Sequence, residues 1–99
     1  MYATANVGEN LEIEFTNATK ITRYVKNAKN VEQEQVFRVC NGKNKKTCGY
    51  WENTKTKKRV ARVTNYNKKK GIMTLPKAKK ADAGEYRGPN YLIVYVQVF

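Results

Sequence analysis

The sequence predicts an all-β domain. Short runs rich in β-branched and aromatic residues are separated by Gly, Asn and Lys clusters, and the chain has only 2 prolines. In the clearest run, Leu11, Ile13 and Phe15 alternate with polar residues, which gives a strand with one buried and one solvated face. A chain of 99 residues is enough for one domain with a modest core, so we expect a single domain spanning 1–99.

A second observation is the segment 71–86, which predicts a strand, a corner and a second strand. Met73 and Leu75 are spaced for one face of a strand, and a polar turn follows. Gly84 tolerates positive φ at a corner, and Asp82 can hydrogen-bond the backbone just ahead of it. We expect the ring of Tyr86 to lie under the corner with its hydroxyl returned to the main chain.

This segment resembles the E-to-F corner of immunoglobulin domains, whose pattern is Leu-x-Ile-x-x-Val-x-x-x-Asp-x-Gly-x-Tyr. The segment 8–15, GENLEIEF, is similar to the family's Gly-Glu-x-Val-x-Leu-x-Cys in strand B. The resemblance implies an immunoglobulin-like Greek-key β-sandwich of two antiparallel sheets. The six matching positions of the corner are Met73, Leu75, Ala78, Asp82, Gly84 and Tyr86.

The chain departs from the family at both cysteines of the usual inter-sheet disulfide. Phe15 stands at the strand B position and Gly88 at the position two residues after the corner tyrosine. We expect the Phe15 ring to fill the space over Gly88. Losing such a bridge costs about 2–5 kcal/mol, offset in part by roughly 1.5–3 kcal/mol from burying an aromatic ring.

The resemblance implies two further roles. Tyr24 in strand C takes the place of the family's core tryptophan, although Ile21, Arg23 and Val25 alternate in the opposite phase. Arg59 opens strand D and pairs with Asp82, the alternative being a solvated surface arginine.

The other strands follow from the same alternation of apolar and polar residues. The C-to-D interval is long for a constant-type domain and favours the variable or intermediate types. The predicted strands are A or A′ in 1–7, B from 11, C at 21–26, C′ at 35–40, C″ at 47–52, D at 59–64, E within 71–78, F from 85 and G at 91–99, with loops at 27–33, 65–70 and 87–90.

Cys40 and Cys48 flank an Asn41-Gly42 turn and are predicted to form a disulfide across a hairpin. One alternative, metal binding, is poor because the chain has no histidine. The other alternative is a pair of free thiols. A disulfide implies an oxidising compartment. Asn17 begins an Asn-Ala-Thr acceptor for N-glycosylation.

The charge is uneven, at +12 overall, and 14 of the 20 basic residues lie between Lys43 and Lys80, where Glu52 is the only acid. This predicts a surface for polyanions, most suitably sulfated glycan, with a solubilising charge run as the alternative. Nucleic acid is disfavoured because few aromatic residues accompany the lysines. The predicted surface contains Lys43, Lys45, Lys46, Lys55, Lys57, Lys58, Arg62, Lys68, Lys69 and Lys70.

Nothing in the sequence indicates catalysis. There is no histidine, no nucleophile elbow, no phosphate-binding glycine loop and no metal-spaced ligand set, so we expect no enzyme activity and no cofactor. The leading hypothesis is an extracellular recognition or adhesion module that binds a protein through its sheet face or end loops. The predicted contact residues are Tyr24, Phe37, Arg38, Tyr91 and Tyr95.

Two alternatives stay open beside that hypothesis. One is a polyanion-binding domain, and the other is a structural domain of an intracellular muscle-type protein, whose domains commonly lack the inter-sheet disulfide. No apolar run approaches the roughly 20 residues that span a bilayer. The start at Met1 has no signal-peptide pattern, and we expect it to begin an excised or mature segment of a secreted or cell-surface protein.

Overall fold

The computed structural model describes residues 1–99, which fold into an all-β structure of two sheets. Single 3-10 turns occupy Lys80–Asp82 and Pro89–Tyr91. The strands are β1 (Tyr2–Ala5), β2 (Leu11–Glu14), β3 (Lys20–Lys26), β4 (Glu32–Arg38), β5 (Trp51–Asn53), β6 (Arg59–Val60), β7 (Asn65–Asn67), β8 (Ile72–Leu75), β9 (Gly84–Arg87) and β10 (Ile93–Val98).

The larger sheet has seven strands in the order β1-β10-β9-β3-β4-β5-β6, and the smaller has three in the order β2-β8-β7. All neighbours are antiparallel except β1 and β10, where Tyr2 lies beside Tyr95 and Ala5 beside Val98 in a parallel pair. The expectation of purely antiparallel sheets is therefore wrong at this edge. After β1 the chain crosses to the other sheet, since the Gly8 amide donates to the Ala78 carbonyl.

One hydrophobic core lies between the sheets. Phe15, Trp51 and Tyr86 are completely buried within it. The rings of Trp51 and Tyr86 meet edge to face with centroids 5.9 Å apart. A Cβ placed on Gly88 would lie 2.4 Å from Cδ1 of Phe15, so the Phe15 ring occupies the space over Gly88 as expected.

The core tryptophan is Trp51 of β5, and Tyr24 does not take that role. The inward side chains of β3 are Ile21, Arg23 and Val25, which turns Tyr24 to the outer face. Because β5 pairs with β4 in the register Phe37 opposite Trp51, the indole reaches the centre of the core from a strand further along the sheet.

The predicted bounds fail most between 59 and 70. The strand predicted at 59–64 is only β6, and the predicted loop at 65–70 contains β7 on the other sheet. The chain changes sheet between these strands, and this crossing is held by the Trp51 indole, which donates to Oγ1 of Thr64 at 2.8 Å. Tyr66 fixes the start of the smaller sheet by donating its hydroxyl to the Phe15 carbonyl.

The loop predicted at 27–33 is also shorter than expected, because β4 begins at Glu32. The cause is the side chain of Asn27, whose Oδ1 accepts hydrogen bonds from the amides of Lys29 and Val31. These bonds close a tight turn, so that β3 and β4 pair along seven residues from Lys26 opposite Glu32.

Candidate functional site

A buried polar cluster centres on Asp82, which is 1% exposed. Arg62 donates from Nε to Oδ1 and from Nη2 to Oδ2, each at 2.9 Å, and the Lys79 amide donates to Oδ2. Tyr86 donates its hydroxyl to the Asp82 carbonyl at 2.7 Å, as the corner pattern predicts. The corner between the two sheets is thereby tied by both the side chain and the main chain of one residue.

Sequence reasoning missed Arg23, which is only 3% exposed. Its guanidinium donates to Gln35 Oε1 at 2.8 Å and to the Tyr86 hydroxyl at 2.9 Å, and lies 3.4 Å from Asp82. It also stacks 4.2 Å from the Trp51 ring centre. The available signal was its place in the inward phase of β3, between Ile21 and Val25, where a charged residue needs a buried partner.

The prediction that Arg59 pairs with Asp82 is wrong, because Arg62 makes that pair. Arg59 faces Glu52 across the β5–β6 ladder on the outer surface, and its guanidinium lies 4.5 Å from the Tyr50 ring centre. Arg62 follows the end of β6 and bends inward, with a side chain only 10% exposed. It therefore cannot belong to the predicted polyanion surface.

The cluster changes the acid–base properties of two groups. Burial alone would raise the pKa of Asp82, but the hydrogen bonds from Arg62 and the Lys79 amide, together with the charges of Arg62 and Arg23, lower it below its ordinary value. Burial raises the pKa of Tyr86 to about 12. Asp82 is thus an ionised structural carboxylate, fully occupied by its partners.

The outer face of the seven-stranded sheet carries a row of aromatic side chains. Tyr2 and Tyr95 are 77% and 44% exposed, and their ring centres lie 5.7 Å apart. The guanidinium of Arg87 lies 5.0 Å from the Tyr24 ring centre and donates to Glu85 at 2.6 Å. These side chains, apart from Tyr2, line an open groove of about 1070 Å³ over β3, β9 and β10.

The neighbouring strand β4 places a carboxylate beside this row. Glu34 lies opposite Tyr24. Its carboxylate raises the pKa of Tyr24, mainly by accepting a hydrogen bond from the Tyr24 hydroxyl. Hydrogen bonds from Thr54 and Tyr24 lower the pKa of Glu34. The Thr54 hydroxyl donates to Glu34 Oε1 at 2.8 Å. Cross-strand polar contacts therefore hold these side chains in place.

This face is nearly neutral, although the chain as a whole is at +12. Four of the chain's 8 acids alternate outward on its strands among five basic side chains. The acids are Glu32, Glu34, Glu52 and Glu85, and the basic residues are Lys20, Lys26, Arg38, Arg59 and Arg87.

The predicted protein-contact residues separate into three groups. Tyr24 and Tyr95 lie on the outer face, and Arg38 is half-buried there in a 3.0 Å ion pair with Glu52. Tyr91 is 99% exposed in the turn between β9 and β10, where it lines a depression together with Arg87. Phe37 was wrongly predicted as a contact, because its side chain points into the core and is 2% exposed.

The predicted disulfide between Cys40 and Cys48 is confirmed, with Cα atoms 5.0 Å apart. It closes the loop between β4 and β5. Inside the loop, Asn41 Oδ1 accepts from the amides of Lys43 and Asn44, so the covalent closure is supported by a hydrogen-bonded turn.

The predicted basic surface is divided in two by the strand directions. The β4–β5 loop holds Lys43, Lys45 and Lys46, and Lys68 of the β7–β8 turn lines the same depression as Arg38 at the end of β4. The β5–β6 turn with Lys55, Lys57 and Lys58 lies at the other end, where the Thr54 amide donates to the Glu34 carbonyl near the start of β4. A continuous surface over all these lysines does not exist.

Asn17 is exposed in the turn between β2 and β3. The next residue is fixed, because the Ala18 amide donates to the Tyr66 hydroxyl at 3.1 Å. Glycosylation at Asn17 stays a prediction.

The structure contains no group of three or more His, Cys, Asp or Glu residues arranged to hold a metal ion. None of its helical segments has the length and hydrophobicity that crossing a membrane requires. The chain matches no model of a known protein family and shows no significant match among curated proteins.

Proposed function

We propose that this chain is a non-catalytic, immunoglobulin-like recognition module of the variable type that works outside the cell and binds a protein through the outer face of its larger sheet. The observation that carries the proposal is the aromatic row on a nearly neutral face of a strongly basic chain. Tyrosine and arginine dominate interface energetics, and Tyr2, Tyr24, Arg87 and Tyr95 lie together there.

The strand order supports the fold assignment. A variable-type domain adds strands C′ and C″ to its G-F-C sheet and packs it on B, E and D. Here β10-β9-β3-β4-β5 correspond in order to G-F-C-C′-C″, and β2-β8-β7 to B-E-D. The corner at Asp82 and Tyr86 and the Phe15 ring over Gly88 occupy the family's positions.

The Cys40–Cys48 disulfide supports a secreted or cell-surface location, because such bridges persist in oxidising compartments. The same bridge weighs against an intracellular muscle-type domain. The partner is a protein of mixed surface charge, since a polyanion gains little from a face with four carboxylates among five basic groups.

The test is a binding screen of the multimerised domain against an array of purified extracellular domains that includes the chain itself. The double variant Arg87→Ala/Tyr95→Ala removes two side chains of the face. The control Lys55→Ala/Val63→Ala removes one cation and one exposed apolar side chain from segments between strands, outside the face.

We expect the face variant to lose at least about tenfold in affinity, as removal of hot-spot residues does, and the control to bind as the original does. Equal loss in both variants, or loss only in the control, contradicts the proposal. The proposal is also contradicted if no protein on the array binds and the domain sediments as a monomer.

A further inference from the structure

We propose that the disulfide-loop end carries a binding site for a sulfate-type oxyanion, used for a sulfated glycan and located at the end of the outer face, apart from the aromatic row. The site is the depression between the start of β3, the end of β4, the β4–β5 loop and the β7–β8 turn. Its lining residues are Ala18, Thr19, Lys20, Arg38, Val39, Asn41, Asn44 and Lys68, and its volume is about 260 Å³.

The lining contains three cations and no carboxylate. Lys20 and Arg38 are directly opposed across the β3–β4 ladder, an arrangement that is destabilising for like charges unless a counter-charge is supplied. Lys68 adds a third cation from the other sheet. Neither Lys20 nor Lys68 has an acidic partner in the structure. Arg38 donates one hydrogen bond from Nη1 to Glu52.

The uncharged part of the lining adds a further donor, because Asn44 Nδ2 donates to the Val39 carbonyl while Asn41 Nδ2 does not bond within the protein. The Asn41 Oδ1 accepts hydrogen bonds from the backbone amides of Lys43 and Asn44. The Asn44 Oδ1 accepts one from the backbone amide of Asn41. This fixes the amide orientation and leaves the Asn41 Nδ2 group without a partner. The Cys40–Cys48 bridge holds this loop, so the donors are organised before a ligand binds.

Sulfate esters and phosphates share this chemistry, and the compartment favours the sulfated glycan. The disulfide supports a location outside the cell, where sulfated polysaccharides are the abundant polyanions. Lys43, Lys45, Lys46, Lys69 and Lys70 on the same two loops extend the positive field around the depression, as a repeating polyanion requires.

The test compares two double variants with the same change in charge. Lys20→Gln/Lys68→Gln removes two cations of the site and leaves the Arg38–Glu52 pair intact. The control Lys55→Gln/Lys57→Gln removes two exposed lysines from the opposite end. Binding of a heparin-derived hexasaccharide is measured by titration calorimetry at physiological salt, and thermal melting verifies the fold of each variant.

We expect the site variant to bind about tenfold more weakly, as losing two surface ion pairs implies, and the control to change less than about twofold. In amide NMR spectra, the hexasaccharide should shift the signals of Ala18, Asn41 and Asn44. Titration with inorganic phosphate separates the sources of the anion, because a phosphate site would bind it as tightly as the glycan.

Three results would overturn the inference. They are equal losses in the two variants, which indicate a diffuse charge effect, saturable binding of phosphate as tight as that of the hexasaccharide, and no binding of the hexasaccharide at all. Retained binding of a protein partner by the site variant would show that the sheet-face proposal stands independently.

Discussion

Replacing Gly88 by alanine tests whether the stability of the fold depends on the packing of Phe15 over Gly88. Gly88 has φ −115° and ψ −163°, an extended conformation that any residue adopts. Backbone strain therefore contributes nothing, and the lower entropy of the unfolded chain would by itself stabilise the variant by about 0.4–1 kcal/mol.

The steric effect opposes this gain. The added Cβ would lie 2.4 Å from Cδ1 and 2.9 Å from Cε1 of Phe15. The Phe15 ring is fully buried, so it cannot move aside into solvent. Overpacking of this kind costs about 1–3 kcal/mol, so we expect a net destabilisation of about 1–2 kcal/mol. For a domain of this size, that lowers the melting temperature by roughly 5–15 °C.

Thermal and urea unfolding of the two single variants Gly88→Ala and Phe15→Leu and of the double variant would measure the coupling. Because leucine is shorter than phenylalanine, the double variant should be less destabilised than the sum of its parts by about 1 kcal/mol. A Gly88→Ala protein as stable as the original, or strict additivity in the cycle, would refute the idea that the ring fills this space.

Two further predictions concern the buried cluster. Arg62→Met should destabilise by about 3 kcal/mol, because Asp82 stays buried without its bidentate partner, whereas Arg59→Met should stay within about 0.5 kcal/mol in the same urea titration. Since the pKa of Asp82 is lowered on folding, its contribution to stability is present above the unfolded value and lost as pH falls through the folded value. The urea midpoint should therefore decrease as the pH is lowered below about 5, and it should decrease more steeply for the original than for Asp82→Asn. Equal dependence on pH in the two proteins would exclude a contribution from Asp82.

The sequence was sufficient wherever the structure depends on neighbours along the chain. The corner at Asp82, Gly84 and Tyr86 is a local pattern, and its hydrogen bond from the Tyr86 hydroxyl to the Asp82 carbonyl spans four residues. The Cys40–Cys48 loop is equally local, with a separation of 8. The Phe15–Gly88 contact is distant but was implied by the family resemblance.

Contacts between distant segments were not predictable in the same way. Arg23 is acceptable in the core because Gln35, Tyr86 and Asp82 surround its guanidinium, and the last two lie 63 and 59 residues later in the chain. Arg59 and Arg62 differ by three positions in sequence, and the end of β6 after Val60 decides which of them turns inward. Because the predicted strand extended beyond Val60, Arg59 was wrongly assigned as the partner of Asp82 in place of Arg62.

The split of the lysines has the same cause and bears directly on function. Two loops that follow one another in sequence lie at opposite ends of a hairpin, so a charge run in sequence is not a charge patch in space. Most of the charge of +12 therefore lies on turns, and the sheet face between them is nearly neutral. Added salt at 0.1 M screens exposed charges that lie more than about 10 Å apart, so it should weaken binding at the disulfide-loop end far more than binding at the aromatic face. The two proposed sites should therefore differ in how their affinities respond to ionic strength.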